Sequence, residues 1–531
     1  MELLLVLASL FLGILFLWLV KMLLRPKTSA PLPPGPEPKP IIGNLMDLPP
    51  PGAQEWVHWA KHKELYGPIS SVTVFGKTLV IISDHRIALE LMEKRSAVHS
   101  SRPRMVFAGE MIGWENTLGM LAYSDRLRTF RRNVHAVLGT KKAVSRFNDI
   151  QGIEVRRFLL RVLEEPDRLL QHIRTEAGAI ILKISHGYTI EPRGRDPLID
   201  IADETMTHFS LAAVPGAWLV DSLPLLKHIP DWIPGTGFKR TAALWRKVLT
   251  ELTEVPYAFV KQQMAAGTAA LSYTSALLEK GNISPDEEFI IKWSAASLYA
   301  GGADTTVASL SCFFLAMTVY PEVQRKAQVE IDRVIGNERL PSFDDRNSLP
   351  YIDAIIKEVL RWHPIGPMGL PHATSEDDTY EGYHIPKGSV LLPNIWGFMH
   401  DQEIYHDPMT FKPERFLGIG GRAPEMEPYQ LAFGFGRRAC PGRELADASM
   451  YLTIAQSLAV FNISKVVEDG KEVEPVVAFS SGVISHPAEF RACVKPRSAK
   501  AEALIHTVEE EYPFQSNDAK VLNGLRGSLN S

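Results

Sequence analysis

Along the 531 residues of this chain, apolar positions recur most often with the spacing of a helix. The pattern predicts long helices over residues 125–138, 150–163, 241–264, 286–320, 322–335, 349–362 and 442–463. Strand signals are shorter. Residues 69–83 alternate apolar and polar positions about Phe75, Gly76 and Lys77, which predicts a hairpin, and 389–392 predicts a further strand. Residues 41–497 contain no internal repeat and no break in composition, so the expected body is one mainly α domain with a minor β component. From 498 to 531 the chain turns polar and is expected to fray as a C-terminal tail.

The same pattern sets apart the N-terminus. Residues 3–24 are apolar except for Ser9, Gly13 and Lys21. As a helix at about 1.5 Å per residue they would cover roughly 30 Å, the thickness of a bilayer core. Residues 1–27 are therefore expected to be a transmembrane anchor. A cleaved signal peptide would want basic residues before the apolar run and small residues at its end. Here Glu2 precedes it, and Lys21, Arg25 and Lys27 lie at its end or follow, which puts Met1 on the lumenal side and the body in the cytosol. Residues 28–40 include APLPPGPEPKP, too rich in proline for helix or sheet, and read as an extended hinge.

Composition changes this picture little. Hydrophobic content of 45%, charged content of 22% and a net charge of −4 describe a globular protein with ample core and, lacking a basic block, no nucleic-acid partner. The 3 cysteines, Cys312, Cys440 and Cys493, are too scattered for a disulfide framework and suit a reducing compartment.

One of them stands in a distinctive setting. Residues 433–442 read FGFGRRACPG: Gly434 and Gly436 allow a tight fold ahead of Cys440, and Pro441 opens the helical pattern behind it. A thiol at a helix N-terminus is drawn towards thiolate, the form that binds iron. A lone intracellular cysteine is ordinarily a small buried apolar residue, but here Phe433, Gly436, Arg438, Cys440 and Gly442 fit F-x-x-G-x-R-x-C-x-G. This run resembles the haem-ligand loop of the cytochrome P-450 family. The resemblance implies that Cys440 is the axial thiolate of a haem b iron, that Phe433 packs beside it, and that Arg438 pairs with a haem propionate.

Further motifs extend the resemblance over residues 33–497. Gly301-Gly302-Ala303-Asp304-Thr305-Thr306 interrupts the longest helical pattern, and two mid-helix glycines cost about 1 kcal/mol each against alanine. A close helix crossing is the ordinary explanation for such a pair. With Asp304 and Thr305 following, the segment resembles the family's oxygen-binding motif, in which Thr305 hydrogen-bonds the bound oxygen and Asp304 relays protons. Glu358 and Arg361, with Arg415 in Pro413-Glu414-Arg415-Phe416, resemble the family's buried structural cluster. By resemblance His372 holds a propionate. Arg131 does so too within a W-x-x-x-R pattern, although Leu127 stands where the Trp belongs. Arg126, Arg128 and Arg132, with Lys141 and Lys142, read as a solvated basic face that could also dock an acidic electron donor.

The resemblance implies a P-450 fold with haem between the long central helix and the Cys440 loop, behind an endoplasmic-reticulum anchor. It also implies a monooxygenase that takes electrons from NADPH-cytochrome reductase, or from cytochrome b5, and uses O2 on a lipophilic small molecule. The segments VPGAW (214–218) and PDWIPG (230–235) are most similar to fungal enzymes of specialised metabolism. A terpenoid substrate is the first expectation, and an aromatic, indole or polyketide compound the second. A haem-thiolate isomerase or dehydratase would not need the Asp304–Thr305 pair, and a haem sensor or carrier would leave it unexplained. By the same resemblance the pocket lining includes Phe107, Met111, Trp114, Leu298, Ile365, Met368, Val483 and Ile484, an apolar set that suits a lipophilic substrate.

Overall fold

The computed structural model describes Gly13 and residues 30–529, except 51, 419–420 and 515–516. Apart from Gly13, the expected anchor over 1–27 lies outside the described residues.

The fold is built on the helix Pro285–Val319. Its start is a capping box: Glu287 N–H donates to the Ser284 hydroxyl, and Ser284 N–H donates to the Glu287 carboxylate at 2.9 Å, with Pro285 in the first turn. Its stretch 307–318, including Phe313, Phe314 and Met317, is buried among helices Asn148–Glu164, Pro350–Trp362 and Arg443–Val460. Helix Leu169–His186 packs along it. Among the described residues it is the one helix long and apolar enough to cross a membrane, and 72% of its apolar window is buried in protein. It is a core helix.

The expected hairpin forms from Ile69–Val74 and Lys77–Ile82. Its two turn residues, Phe75 and Gly76, have φ of 47° and 81°, the positive values that match a two-residue turn to strand twist. Val390–Pro393 adds in parallel to Lys77–Ile82, and His372–Ala373 closes the sheet in antiparallel register. The sheet thus carries His372 to an edge.

Two expectations need correction. The helix expected over 442–463 ends at Val460, and Phe461–Ser464 is a strand paired antiparallel with Cys493–Pro496. Alternate burial explains the switch: Phe461 and Ile463 point inward while Asn462 and Ser464 face out, a period of two rather than 3.6. The fraying expected after 497 is replaced by helix in the described residues. Ala499–Glu511, capped by Ser498, is a helix that buries Ala501, Ile505 and Val508 against Asn148–Glu164. Ala519–Leu529 is a second, which buries Leu522 against the helix Gly237–Ala265. Between them Asp518 is tied to Thr189, whose N–H donates to Asp518 Oδ2 at 2.8 Å.

A roof lies over one side of the body. The wide helical turn Val106–Ile112 is clasped to the segment after Leu219 by Phe107 N–H, which donates to Asp221 Oδ1 at 2.9 Å, and by Lys227, 2.6 Å from Glu110. Phe107 stacks on Trp218 with ring centres 3.6 Å apart, and Trp245 meets Trp218 edge-on at 6.0 Å.

Candidate active site

Two glycines shape the cysteine loop. Gly434 and Gly436 adopt φ of 73° and 51°, and a Cβ on Gly436 would stand 2.5 Å from the carbonyl oxygen of Met92. The loop closes where Cys440 N–H donates to Phe433 O at 2.7 Å. Cys440 is solvent-accessible and lines a groove of about 830 Å³ with Phe433, Arg131 and Arg443. Surrounding protein nonetheless dominates its titration. Burial pushes the thiol up, while the N–H groups of Gly442 and Arg443 and the guanidiniums of Arg131 and Arg443 pull it down. The helix N-terminus acts in the expected direction, but burial outweighs it in the free thiol.

Arginines gather around this loop. Arg131 donates through Nη2 to Ala439 O at 3.0 Å. Arg438 donates through Nε to Ser100 O and through Nη2 to Leu121 O, both at 2.7 Å, which leaves Nη1 buried without a partner. Burial, with Arg131 adding to it, holds the Arg438 guanidinium down to about 10. Arg102 lies close enough to feel both: burial, then Arg438 and Arg131, push it well below the ordinary arginine value. Its nitrogens brace the backbone by donating to Gly119 O, Leu370 O and Pro371 O. His372 is buried and neutral for the same reason, burial first and Arg102 next, and it donates from Nδ1 to His99 O at 2.7 Å.

Among the described residues no carboxylate is paired with Arg102, Arg131 or Arg438. Three mutually repelling guanidiniums, one with an orphaned donor, form a cradle that requires an anion. The site therefore fits a haem: a thiol accessible at the loop and a cationic cluster suited to propionates. Leu127 is fully buried and supplies no polar atom in place of the missing Trp. Arg102 is the cluster member that sequence reasoning missed, and no motif distinguished it.

The paired glycines of the central helix turn out to serve different ends. At Gly302 a Cβ would come within 2.7 Å of Ile181 Cγ1, so this glycine is the close crossing with helix Leu169–His186. At Gly301 nothing lies within 4 Å of the same position. Its carbonyl accepts the Thr305 hydroxyl at 2.7 Å, and the helix remains continuous through the motif. Asp304 is 7% exposed, and its Oδ1 lies 3.0 Å from His486 Nε2.

Of the expected lining residues, Phe107, Trp114, Leu298 and Ile484 share one apolar cluster, with Met111, Ile365 and Val483 packed against it. Met368 instead packs on the sheet beside Trp59 and Leu392. Glu358 and Arg361 are fully buried and doubly hydrogen-bonded, at 2.7 and 2.9 Å, and Arg415 joins Glu358 at 3.1 Å. The basic face divides. Arg128 and Arg132 line the cysteine groove with Lys94, whereas Arg126 pairs with Asp286 at 2.7 Å and stacks over Phe289.

Comparison with known proteins agrees with this geometry. The profile of the family described as Cytochrome P450 matches residues 33–494. The chain is 52% identical to cytochrome P450 monooxygenase claR of Ampulloclitocybe clavipes, over 96% of this chain and 94% of the relative. It is 52% identical to cytochrome P450 monooxygenase ppsD of Aspergillus oryzae, over 93% and 94%. It is 45% identical to the O-methylsterigmatocystin oxidoreductase of Aspergillus flavus, over 96% of each. A cysteine loop beside a cationic cradle, a glycine-spaced central helix and relatives matched over more than nine-tenths of this chain make it a member of the cytochrome P450 family, whose cofactor is an iron haem with a thiolate ligand.

Proposed function

We propose that this cytochrome P450 is a membrane-anchored monooxygenase that oxidises a lipophilic small molecule with O2 and NADPH-derived electrons, in fungal specialised metabolism. The observation that carries the reading is the accessible Cys440 beside an arginine cluster with which no carboxylate is paired among the described residues. When bound, the haem supplies oxygen activation; the chain supplies the rest. Cys440 Sγ holds the iron, with Phe433 beside it. Arg438 Nη1 takes a propionate, helped by Arg131 and His372. Thr305 can release its hydroxyl from Gly301 O to donate into the site, and Asp304 moves protons to it. The apolar cluster of Phe107, Trp114, Leu298 and Ile484 excludes water and favours an apolar guest.

Electrons are taken to enter at the Cys440 groove, where Lys94, Arg128 and Arg132 would meet an acidic reductase or cytochrome b5. A terpenoid skeleton remains the first substrate class. An aromatic compound is the second, favoured by the aromatic lining and by the relative named for O-methylsterigmatocystin. Residues 1–27 are proposed to anchor the enzyme in the endoplasmic reticulum, with the body cytosolic. The sequons at Asn282 and Asn462 should then stay bare, and protease added to sealed microsomes should remove the body.

The test is expression in microsomes with a reductase. Cys440→Ala should abolish the red-shifted carbon monoxide spectrum; its survival would remove the ligand assignment. Steady NADPH consumption with a bound substrate separates a monooxygenase from an isomerase or a carrier. Type I spectral shifts across terpenoid and aromatic panels decide the substrate class.

A further inference from the structure

The Asp304 carboxylate is nearly buried in an apolar helix, a costly place for a charge unless something compensates it. Among the described residues one histidine pairs with it. His486 approaches from a loop far along the chain and brings Nε2 to 3.0 Å from Asp304 Oδ1. The imidazole keeps 27% of its surface accessible while the carboxylate keeps 10%, so the histidine stands between Asp304 and solvent.

The loop holds His486 in place before any ligand arrives. Ser480 N–H donates to His486 O at 2.8 Å, and His486 N–H donates to Ser480 Oγ at 3.0 Å. The adjoining Ser485 is fastened three ways: Oγ donates to Ser480 O at 2.7 Å and lies 2.8 Å from His363 Nε2, and its N–H donates to Ile365 O at 2.9 Å. A side chain on so constrained a backbone loses little entropy on making its contact, so the contact can fix its partner.

We propose that His486 is a positioning residue for the reaction: it fixes the Asp304 carboxylate at the solvent edge of the central helix, and proton delivery to Thr305 depends on that fixing. The inference rests on the proton role given to Asp304 above. His486 acts through Asp304.

The experiment compares wild type, Asp304→Asn, His486→Ala and His486→Gln as reductase-coupled holoenzymes, each first shown to give a full carbon monoxide spectrum. His486→Ala should lower product formed per NADPH by about tenfold, less than the roughly 100-fold or more of a lost acid–base group because Asp304 itself remains. His486→Gln keeps a donor near the position of Nε2 and should recover most of the coupling. A second readout needs no turnover: carbethoxylation of His486 at one fixed pH, followed on its peptide by mass spectrometry, should be several-fold faster in Asp304→Asn, where the carboxylate no longer engages Nε2. Normal coupling in His486→Ala, equal losses in the Ala and Gln variants, or an unchanged modification rate would each overturn the proposal. If Asp304→Asn itself stays fully coupled, the proton role of Asp304 falls instead, a distinct failure.

Discussion

Arg131 reaches across from helix Asp125–Leu138 to donate to the carbonyl of Ala439, the residue immediately before Cys440, at 3.0 Å. It therefore fixes the backbone that aims the thiol, besides contributing charge to the cradle. Arg131→Ala should cost about 1.5–3 kcal/mol of local stability, the range for a hydrogen bond to a charged group. The expected outcome is a lower haem-to-protein absorbance ratio after gel filtration, with the far-UV circular dichroism unchanged. An unaltered ratio would show that the loop is held without it.

The two motif glycines should respond in opposite ways to alanine. Gly302→Ala pushes a methyl onto Ile181 and should destabilise by about 1–3 kcal/mol through overpacking. Gly301→Ala meets no protein atom within 4 Å and, in the haem-free chain, should gain up to about 1 kcal/mol of helix propensity. Thermal unfolding of the two variants reads this directly, and equal shifts would contradict the assignment.

Glu358 accepts from both Arg361 and Arg415 with no exposure to water. Arg415 also holds Glu425 at 2.6 Å, so Glu358→Gln leaves Arg361 as the buried guanidinium without a carboxylate and should destabilise by about 3–5 kcal/mol. Soluble yield and the denaturant midpoint should both collapse. A midpoint within error of wild type would mean that Arg361 is held by its backbone acceptors alone.

His186 sets part of the acid limit. Burial pushes its imidazole from 6.5 down to about 3, so the folded state keeps it neutral while the unfolded chain takes up a proton. Its contribution is intact above pH 6.5 and is lost as pH falls from there towards about 3, at about 1.4 kcal/mol per pH unit. Urea midpoints for wild type and His186→Asn should converge on acidification, the variant having the shallower slope between pH 6 and pH 4. Parallel slopes would assign the acid lability elsewhere.

How far the sequence carried this reading depended on the range of the interaction. The helix Asp125–Leu138, the hairpin and the central helix were legible because caps, turn residues and periodicity are local. Phe461–Ser464 was absorbed into the preceding helix because its strand character depends on Cys493–Pro496, a partner remote in sequence. The terminal helices were hidden by charge: Ala501, Ile505 and Val508 repeat at helical spacing but are thin among glutamates. At the site, motif residues stood out, whereas Arg102 and His486 did not. Nothing local marks them, and only the fold brings Arg102 beside Arg438 and His486 beside Asp304.

The roof offers a last consequence, an optical one. Trp218 and Trp245 stand edge to face at 6.0 Å, with Phe107 stacked on the first, close enough for their excited states to couple. Any ligand that enters by parting Phe107 from Trp218 must also change that coupling. Near-ultraviolet circular dichroism then follows the roof without a label, and stopped-flow traces in that band can time its opening independently of the haem spectrum.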